Sequence, residues 1–82
     1  MSQANLDELF YIIEEFATSK IPENYKDVSL VELGLDSLDQ AELMIDLEEK
    51  YDIEISDEEA SKLLTVGDII DFLEKHPDVD DF

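Results

Sequence analysis

The chain has 82 residues, enough for one small domain with a modest core and too few for a deep, dry active site beside that core. It contains no cysteine, which excludes disulfides, thiolate catalysis and zinc–thiolate sites, so a cofactor must supply any thiol that the function needs. The formal charge of −19 disfavours nucleic acid and anionic membranes as partners and favours a protein with a basic patch.

The negative charge is concentrated in the second part of the chain. Residues 1–34 hold seven acids and two lysines, a net −5, whereas residues 35–82 hold seventeen acids and three lysines, a net −14. Acidic residues that serve only solubility need not be concentrated in one part of the chain. Their concentration after residue 35 therefore favours a partner-binding surface. With no apolar run near the ~20 residues that cross a bilayer, and no basic N-terminal region, we expect a protein of the cytoplasm, or of the equivalent compartment of an organelle, without stable membrane insertion. We also expect a monomer.

The first predicted helix spans Gln3 to Thr18, because apolar residues recur there at helical spacing. A long connection from Ser19 to Leu35 follows, and a connection of this length in so small a domain usually has a function. Its apolar residues are expected to anchor it across the helices: Ile21, Val28, Leu30 and Leu33.

The second helix is predicted from Asp36 to Tyr51, with Asp36 as N-cap and Asp39 three residues later in the position of a capping box. Leu43, Leu47 and Tyr51 follow an i, i+4, i+8 line that predicts the buried side. Leu38 and Ile45 then lie off that line and are partly exposed. They are either ordinary surface apolar residues or part of a docking patch, and the pattern alone does not decide between the two.

Two further capping boxes predict the remaining helices. Ser56 with Glu59 begins a short helix that ends near Leu63, and Thr65 begins a last helix that runs to Lys75. Pro77 stops that helix, and residues 77–82 are predicted to form a frayed tail. No clean strand pattern is present, apart from a weak alternation over residues 51–55. The fold class is therefore all-α, a single domain with three main helices and one short helix.

Ser37 lies at the start of the second helix, just after Gly34, which allows the loop to turn sharply. No general base or oxyanion donor is evident nearby, and His76, the one histidine, lies two helices downstream. A serine in this setting is better suited to be modified than to attack. The alternative is an ordinary serine at a helix start, where serine is common.

The residues around Ser37 resemble the prosthetic-group site of the acyl carrier proteins. The resemblance covers about residues 4–76, and its central element is the Asp-Ser-Leu triplet at Asp36, Ser37 and Leu38. A lone triplet is a weak signal, but the series that follows it in register is strong. That series comprises Asp39, Glu42, Leu43, Leu47, Glu48, Glu49, Tyr51, Ile55, the run 57–60, Thr65 and Val66.

The resemblance implies a carrier protein that is not an enzyme and that adopts the family's four-helix bundle. Ser37 would receive 4'-phosphopantetheine from coenzyme A, beside Asp36 and Leu38, through a phosphopantetheinyl transferase (holo-acyl-carrier-protein synthase). The arm's thiol would carry acyl groups as thioesters to enzymes of fatty-acid or specialised lipid and polyketide synthesis. The resemblance also implies a set of residues that dock basic patches on partners: Leu38, Asp39, Glu42, Ile45, Glu48, Glu49, Ile55 and Asp57.

Two other classes of protein were weighed against the acyl carrier. A peptidyl or D-alanyl carrier, with an amino acid as cargo, would share the attachment site. An acidic calcium-binding loop would need a glycine after its first acids, and Gly34 comes before Asp36, so no metal site is predicted.

Overall fold

The computed structural model describes residues 3–79, and these form four α-helices joined by ordered turns. The helices are α1 (Gln3–Glu14), α2 (Ser37–Tyr51), α3 (Asp57–Ala60) and α4 (Val66–Lys75). The described residues contain no strand, only an isolated bridge between Ser29 and Thr65. The predicted all-α bundle of three main helices and one short helix is confirmed.

One apolar core joins the helices and the long connection between α1 and α2. Burying apolar side chains is the main favourable term in folding, and every element contributes to it. The most completely buried side chains are Leu9, Ile13, Leu30, Leu33, Leu43, Leu47, Val66, Ile69, Ile70 and Leu73. Leu43 and Leu47 confirm the predicted inner line of α2, while Tyr51 at its end is only half-buried. Burial, and to a smaller extent the charge of Glu8, raises the pKa of Tyr51.

The connection between α1 and α2 is held against the core as the sequence predicted. Val28, Leu30 and Leu33 are buried, and Ile21 packs at the edge of the core. The connection also contains a 3₁₀ turn, Tyr25–Asp27, which the sequence pattern did not reveal. This turn contacts α4 closely, because a Cβ atom on Gly67 would lie only 2.5 Å from the carbonyl oxygen of Lys26.

Two predicted helix ends are corrected by the structure. α1 ends at Glu14, four residues before Thr18, because the chain turns so that the Thr18 N–H can donate to the Leu33 carbonyl at 2.8 Å. α3 ends at Ala60, and the chain continues to Leu63 in tighter turns, in which the Lys62 and Leu63 N–H groups donate to carbonyls three residues earlier. Both ends are set by contacts with distant segments or by turn geometry.

The C-terminal stretch is described as far as Val79. The Val79 N–H donates to the His76 carbonyl at 3.2 Å, and the side chain packs at the edge of the core. The rest of the predicted frayed tail, residues 80–82, lies outside the described residues. Within residues 3–79, none of the helices combines the length and the apolar character needed to span a bilayer.

Candidate functional site

Ser37 is the first residue of α2, and its side chain is exposed. Ser37 lies within a complete capping box: the Asp39 N–H donates to Asp36 Oδ1 at 2.8 Å, and the Asp36 N–H donates to Asp39 Oδ2 at 3.2 Å. The two carboxylates thus close the helix start on either side of Ser37, whose hydroxyl is not used in the cap. The local sequence fixes the helix start and leaves the serine hydroxyl accessible.

The loop that delivers Ser37 depends on a close approach at Gly34. Its φ of +95° lies in the left-handed region, and a Cβ atom there would lie 2.4 Å from Thr18 Oγ1. Thr18 is itself held by Leu33, whose carbonyl accepts from both the backbone N–H and the hydroxyl of Thr18. Glycine is therefore required by backbone conformation and by space together.

The start of α2 suits a phosphate on the Ser37 hydroxyl. The first four backbone N–H groups at this helix start belong to residues 36–39. The capping box satisfies those of Asp36 and Asp39, so within the described residues the N–H groups of Ser37 and Leu38 have no intrahelical acceptor. These groups and the helix dipole favour an anion. The carboxylates of Asp36 and Asp39 oppose it, so the dipole alone does not explain the site. An exposed hydroxyl beside free N–H groups fits a phosphodiester-linked arm.

One side of α2 presents apolar side chains among acids, next to Ser37. Leu38 is 67% exposed and Ile45 is 52% exposed, which confirms that both lie off the core line. Glu42 and Glu49 are exposed on the same helix, and Asp39 is half-buried by its capping role. The residues that the resemblance assigned to docking on α2 therefore form an acidic surface with apolar side chains in it.

The remaining docking candidates lie at the junction of α2 and α3. Glu48 is half-buried, and its Oε2 accepts from the Ile55 N–H at 2.9 Å, so this carboxylate anchors the loop between the helices. Ile55 is half-buried against the core, and Asp57 is exposed at the first position of α3. Glu59 closes the capping box of that helix, and hydrogen bonds from the backbone and hydroxyl of Ser56 lower its pKa.

A cleft of about 200 Å³ separates α2 from α3 close to this surface. Its lining combines small, polar and buried apolar side chains: Gln40, Ala41, Met44, Asp57, Ala60, Ser61 and Leu63. Met44 is only 8% exposed, and the Gln40 side chain donates to the Leu35 carbonyl at 3.2 Å, which ties α2 to the preceding loop. Nothing in the local sequence reveals this bond from Gln40 to a residue outside the helix.

His76 does not belong to the site. It lies at the C-terminal end of α4, its ring packs edge-on against Phe72, and its Nδ1 accepts from the Asp78 N–H at 3.1 Å. The described residues contain no group of three histidine, cysteine or acidic side chains that could hold a metal ion. No triad is assembled at Ser37 from this histidine.

Known proteins resemble this chain over most of its length. The family described as the phosphopantetheine attachment site matches residues 12–73, a range that includes Ser37. An acyl carrier protein from Wolinella succinogenes is 53% identical over 55 residues, which cover 65% of this chain and 72% of that protein. One from Buchnera aphidicola subsp. Acyrthosiphon pisum (strain Tuc7) is 51% identical over 65 residues, 78% of this chain and 81% of that protein. The chain belongs to the acyl carrier protein family.

Proposed function

We propose that Ser37 is the residue to which the family's 4'-phosphopantetheine is attached, and that the acidic surface of α2 guides partner enzymes to it. As an acyl carrier protein, the chain is not an enzyme, and it carries acyl groups on this covalently bound cofactor. The observation that carries the assignment is the exposed hydroxyl at the first position of α2, which lies within a capping box that does not use it. An amino-acid cargo is not favoured, since the relatives are named acyl carrier proteins.

Loading requires one group transfer to the serine. Ser37 Oγ forms a bond to phosphorus, the pyrophosphate bond of coenzyme A breaks, adenosine 3',5'-bisphosphate leaves, and the hydroxyl proton passes to a base. His76 is engaged at the far end of α4, so the transferase supplies that base. This chain contributes an exposed acceptor oxygen and N–H groups that favour the resulting phosphodiester. The bound cofactor supplies the thiol that the chain lacks.

The surface of α2 is suited to partners that are enzymes with basic patches. The family interacts with a phosphopantetheinyl transferase and with acyl-handling enzymes. Exposed Glu42 and Glu49 attract positive charge over a distance, whereas Leu38 and Ile45 supply apolar area that becomes buried on contact. Charged rims mainly raise the association rate, and buried apolar groups mainly slow dissociation.

The assignment of Ser37 is tested by loading with coenzyme A, Mg²⁺ and a phosphopantetheinyl transferase, followed by intact-mass measurement. We expect wild type to gain one phosphopantetheine, Ser37→Ala to gain none, and peptide mapping to locate the group on residue 37.

The matched control for this experiment is Ser61→Ala, which removes another exposed serine hydroxyl. The Ser61→Ala variant should gain one phosphopantetheine to the same extent as wild type. Undiminished loading of Ser37→Ala would show that the arm is attached elsewhere.

A further inference from the structure

Two exposed apolar side chains beside the site, Val31 and Leu64, belong to none of the helices. We call this pair the apolar flank. Val31 is 70% exposed and Leu64 is 58% exposed, comparable to the 67% of Leu38 on α2. Contiguous exposed apolar surface marks interaction sites, whereas exposed apolar residues scattered singly are common on protein surfaces.

Hydrogen bonds join both members of the flank to the end of the bundle that carries Ser37. The Leu64 carbonyl accepts from the Leu30 N–H at 2.9 Å, and the Leu30 carbonyl accepts from the Leu35 N–H at 3.1 Å. Val31 therefore lies inside a turn that closes two residues before Ser37. The α3–α4 loop is held against the same turn, so these hydrogen bonds connect both members of the flank to the loop that leads into Ser37.

The size of a protein interface requires a partner to cover more than α2. A standard interface buries about 800 Å² on each partner, which corresponds to a patch of roughly 16 Å radius. Because Ser37 is the first residue of α2, a patch centred on it extends as far over the preceding loop as along the helix. A transferase that brings coenzyme A to the Ser37 hydroxyl must therefore lie over this loop as well.

The charge of the chain indicates which partner covers the flank. A second copy of a −19 chain would be repelled, and the exposed acids Glu32 and Asp36 adjoin the flank. We infer that Val31 and Leu64 form a second apolar contact for the phosphopantetheinyl transferase, which meets them with an apolar surface bordered by basic side chains. This inference rests on the proposed function, since it presupposes that Ser37 is the residue loaded.

The double variant Val31→Thr/Leu64→Gln tests the inference, because it removes apolar surface without changing charge. We expect the KM for the carrier in the loading reaction to rise about tenfold while kcat stays constant. This is the pattern when a contact between carrier and transferase is lost equally from the bound complex and from the transition state. The salt dependence of loading should match wild type, since no charge is lost. Urea unfolding should also match, since both side chains are exposed.

The control is Tyr11→Gln, which removes an apolar side chain that is 67% exposed on α1, an element with no residue in the flank. Its KM should equal that of wild type. A double variant loaded with the wild-type KM would overturn the inference and leave Ser37 as the attachment site. Failure to load wild type at Ser37 would instead overturn the proposed function.

Two further occupants of the flank are distinguished by separate measurements. The first measurement records the NMR chemical shifts of Val31 and Leu64 when the arm is attached and when transferase is added to the Ser37→Ala variant. Shifts that change only on attachment of the arm would assign the flank to the arm. Dimerisation of wild type that the double variant abolishes would assign it to a second copy. Either result would overturn the inference.

Discussion

At the scale of the residue, the site depends on a glycine as much as on the serine. Ser37 provides the proposed acceptor oxygen, and Gly34 sets the path of the loop that presents it. The backbone there is left-handed, and Thr18 occupies the space where a side chain would extend. A residue without a side chain therefore helps to decide where Ser37 lies.

Replacing Gly34 with alanine should lower the free energy of unfolding by about 1–3 kcal/mol. The cost has two sources, the positive φ and the contact with Thr18 Oγ1. In a Thr18→Ala background, Gly34→Ala should cost less stability than it does in wild type. The side-chain clash is then relieved, and only backbone strain of about 1–2 kcal/mol remains. Urea unfolding of the four proteins gives the comparison. Equal costs of Gly34→Ala in both backgrounds would show that backbone strain alone explains the glycine.

At the scale of the element, α2 combines a buried side with an exposed acidic side, the proposed docking surface, and its neighbouring acids have different roles. Glu48 and Glu49 are adjacent in sequence and alike in charge. The Glu48 carboxylate accepts from the Ile55 N–H and anchors the loop to α3, whereas Glu49 is exposed. A run of acids on a helix thus cannot be assigned to docking as a block.

Charge reversal of the two glutamates separates these roles. Glu48→Lys should cost about 1–3 kcal/mol of stability, because it leaves the partly buried Ile55 N–H without its acceptor. Glu49→Lys should change stability by less than about 0.5 kcal/mol and yet slow loading of Ser37 at low salt.

Glu48→Gln serves as the control, since it removes the charge and keeps an acceptor oxygen. It should retain most of the stability that Glu48→Lys loses. Urea unfolding and loading rates, measured on the same preparations, give both quantities. Loading of Glu49→Lys at the wild-type rate would show that this acid is only a solvated surface residue.

At the scale of the whole molecule, a large negative charge is confined to a small volume. The chain carries −19, and its described part has a radius of gyration of 11.6 Å. Two ion pairs in the described part, Lys50 with Glu8 at 3.4 Å and Lys62 with Glu58 at 3.9 Å, are largely solvent-exposed and contribute little. Repulsion among the acids therefore opposes folding, while the same field draws basic partners toward the site.

Screening this repulsion should raise the melting temperature. The Debye length falls from about 30 Å at 0.01 M salt to about 8 Å at 0.15 M, which is less than the 19 Å of the shortest extent of the molecule. A gain of about 1 kcal/mol corresponds to roughly 4–8 °C in a domain of this size. Thermal unfolding followed by circular dichroism in both NaCl concentrations measures the shift.

The control for the salt experiment is Glu15→Gln/Glu74→Gln, which neutralises two exposed acids. It should begin with a higher melting temperature in low salt and gain less from added NaCl. A melting temperature that is the same in low and high salt would show that charge repulsion does not limit stability.

The sequence alone determined the features that rest on local chemistry. The starts of α2, α3 and α4 were predicted at their residues because each is a capping box, in which a side chain and a backbone N–H three residues apart satisfy each other. The exposure of Leu38 and Ile45 and the burial of Leu43 and Leu47 follow from helical spacing. The assignment to a carrier family also came from the order of residues along the chain.

Only the tertiary structure decided features that join distant parts of the chain. α1 ends at Glu14 because Thr18 bonds to Leu33, and no residue near that end signals it. The anchoring role of Glu48 and the cleft between α2 and α3 depend on how the helices pack. Hydrogen bonds between separate loops connect the apolar flank to the loop that precedes Ser37. Local preferences fix where helices begin, whereas contacts between residues far apart in sequence fix where they stop and which surfaces they share.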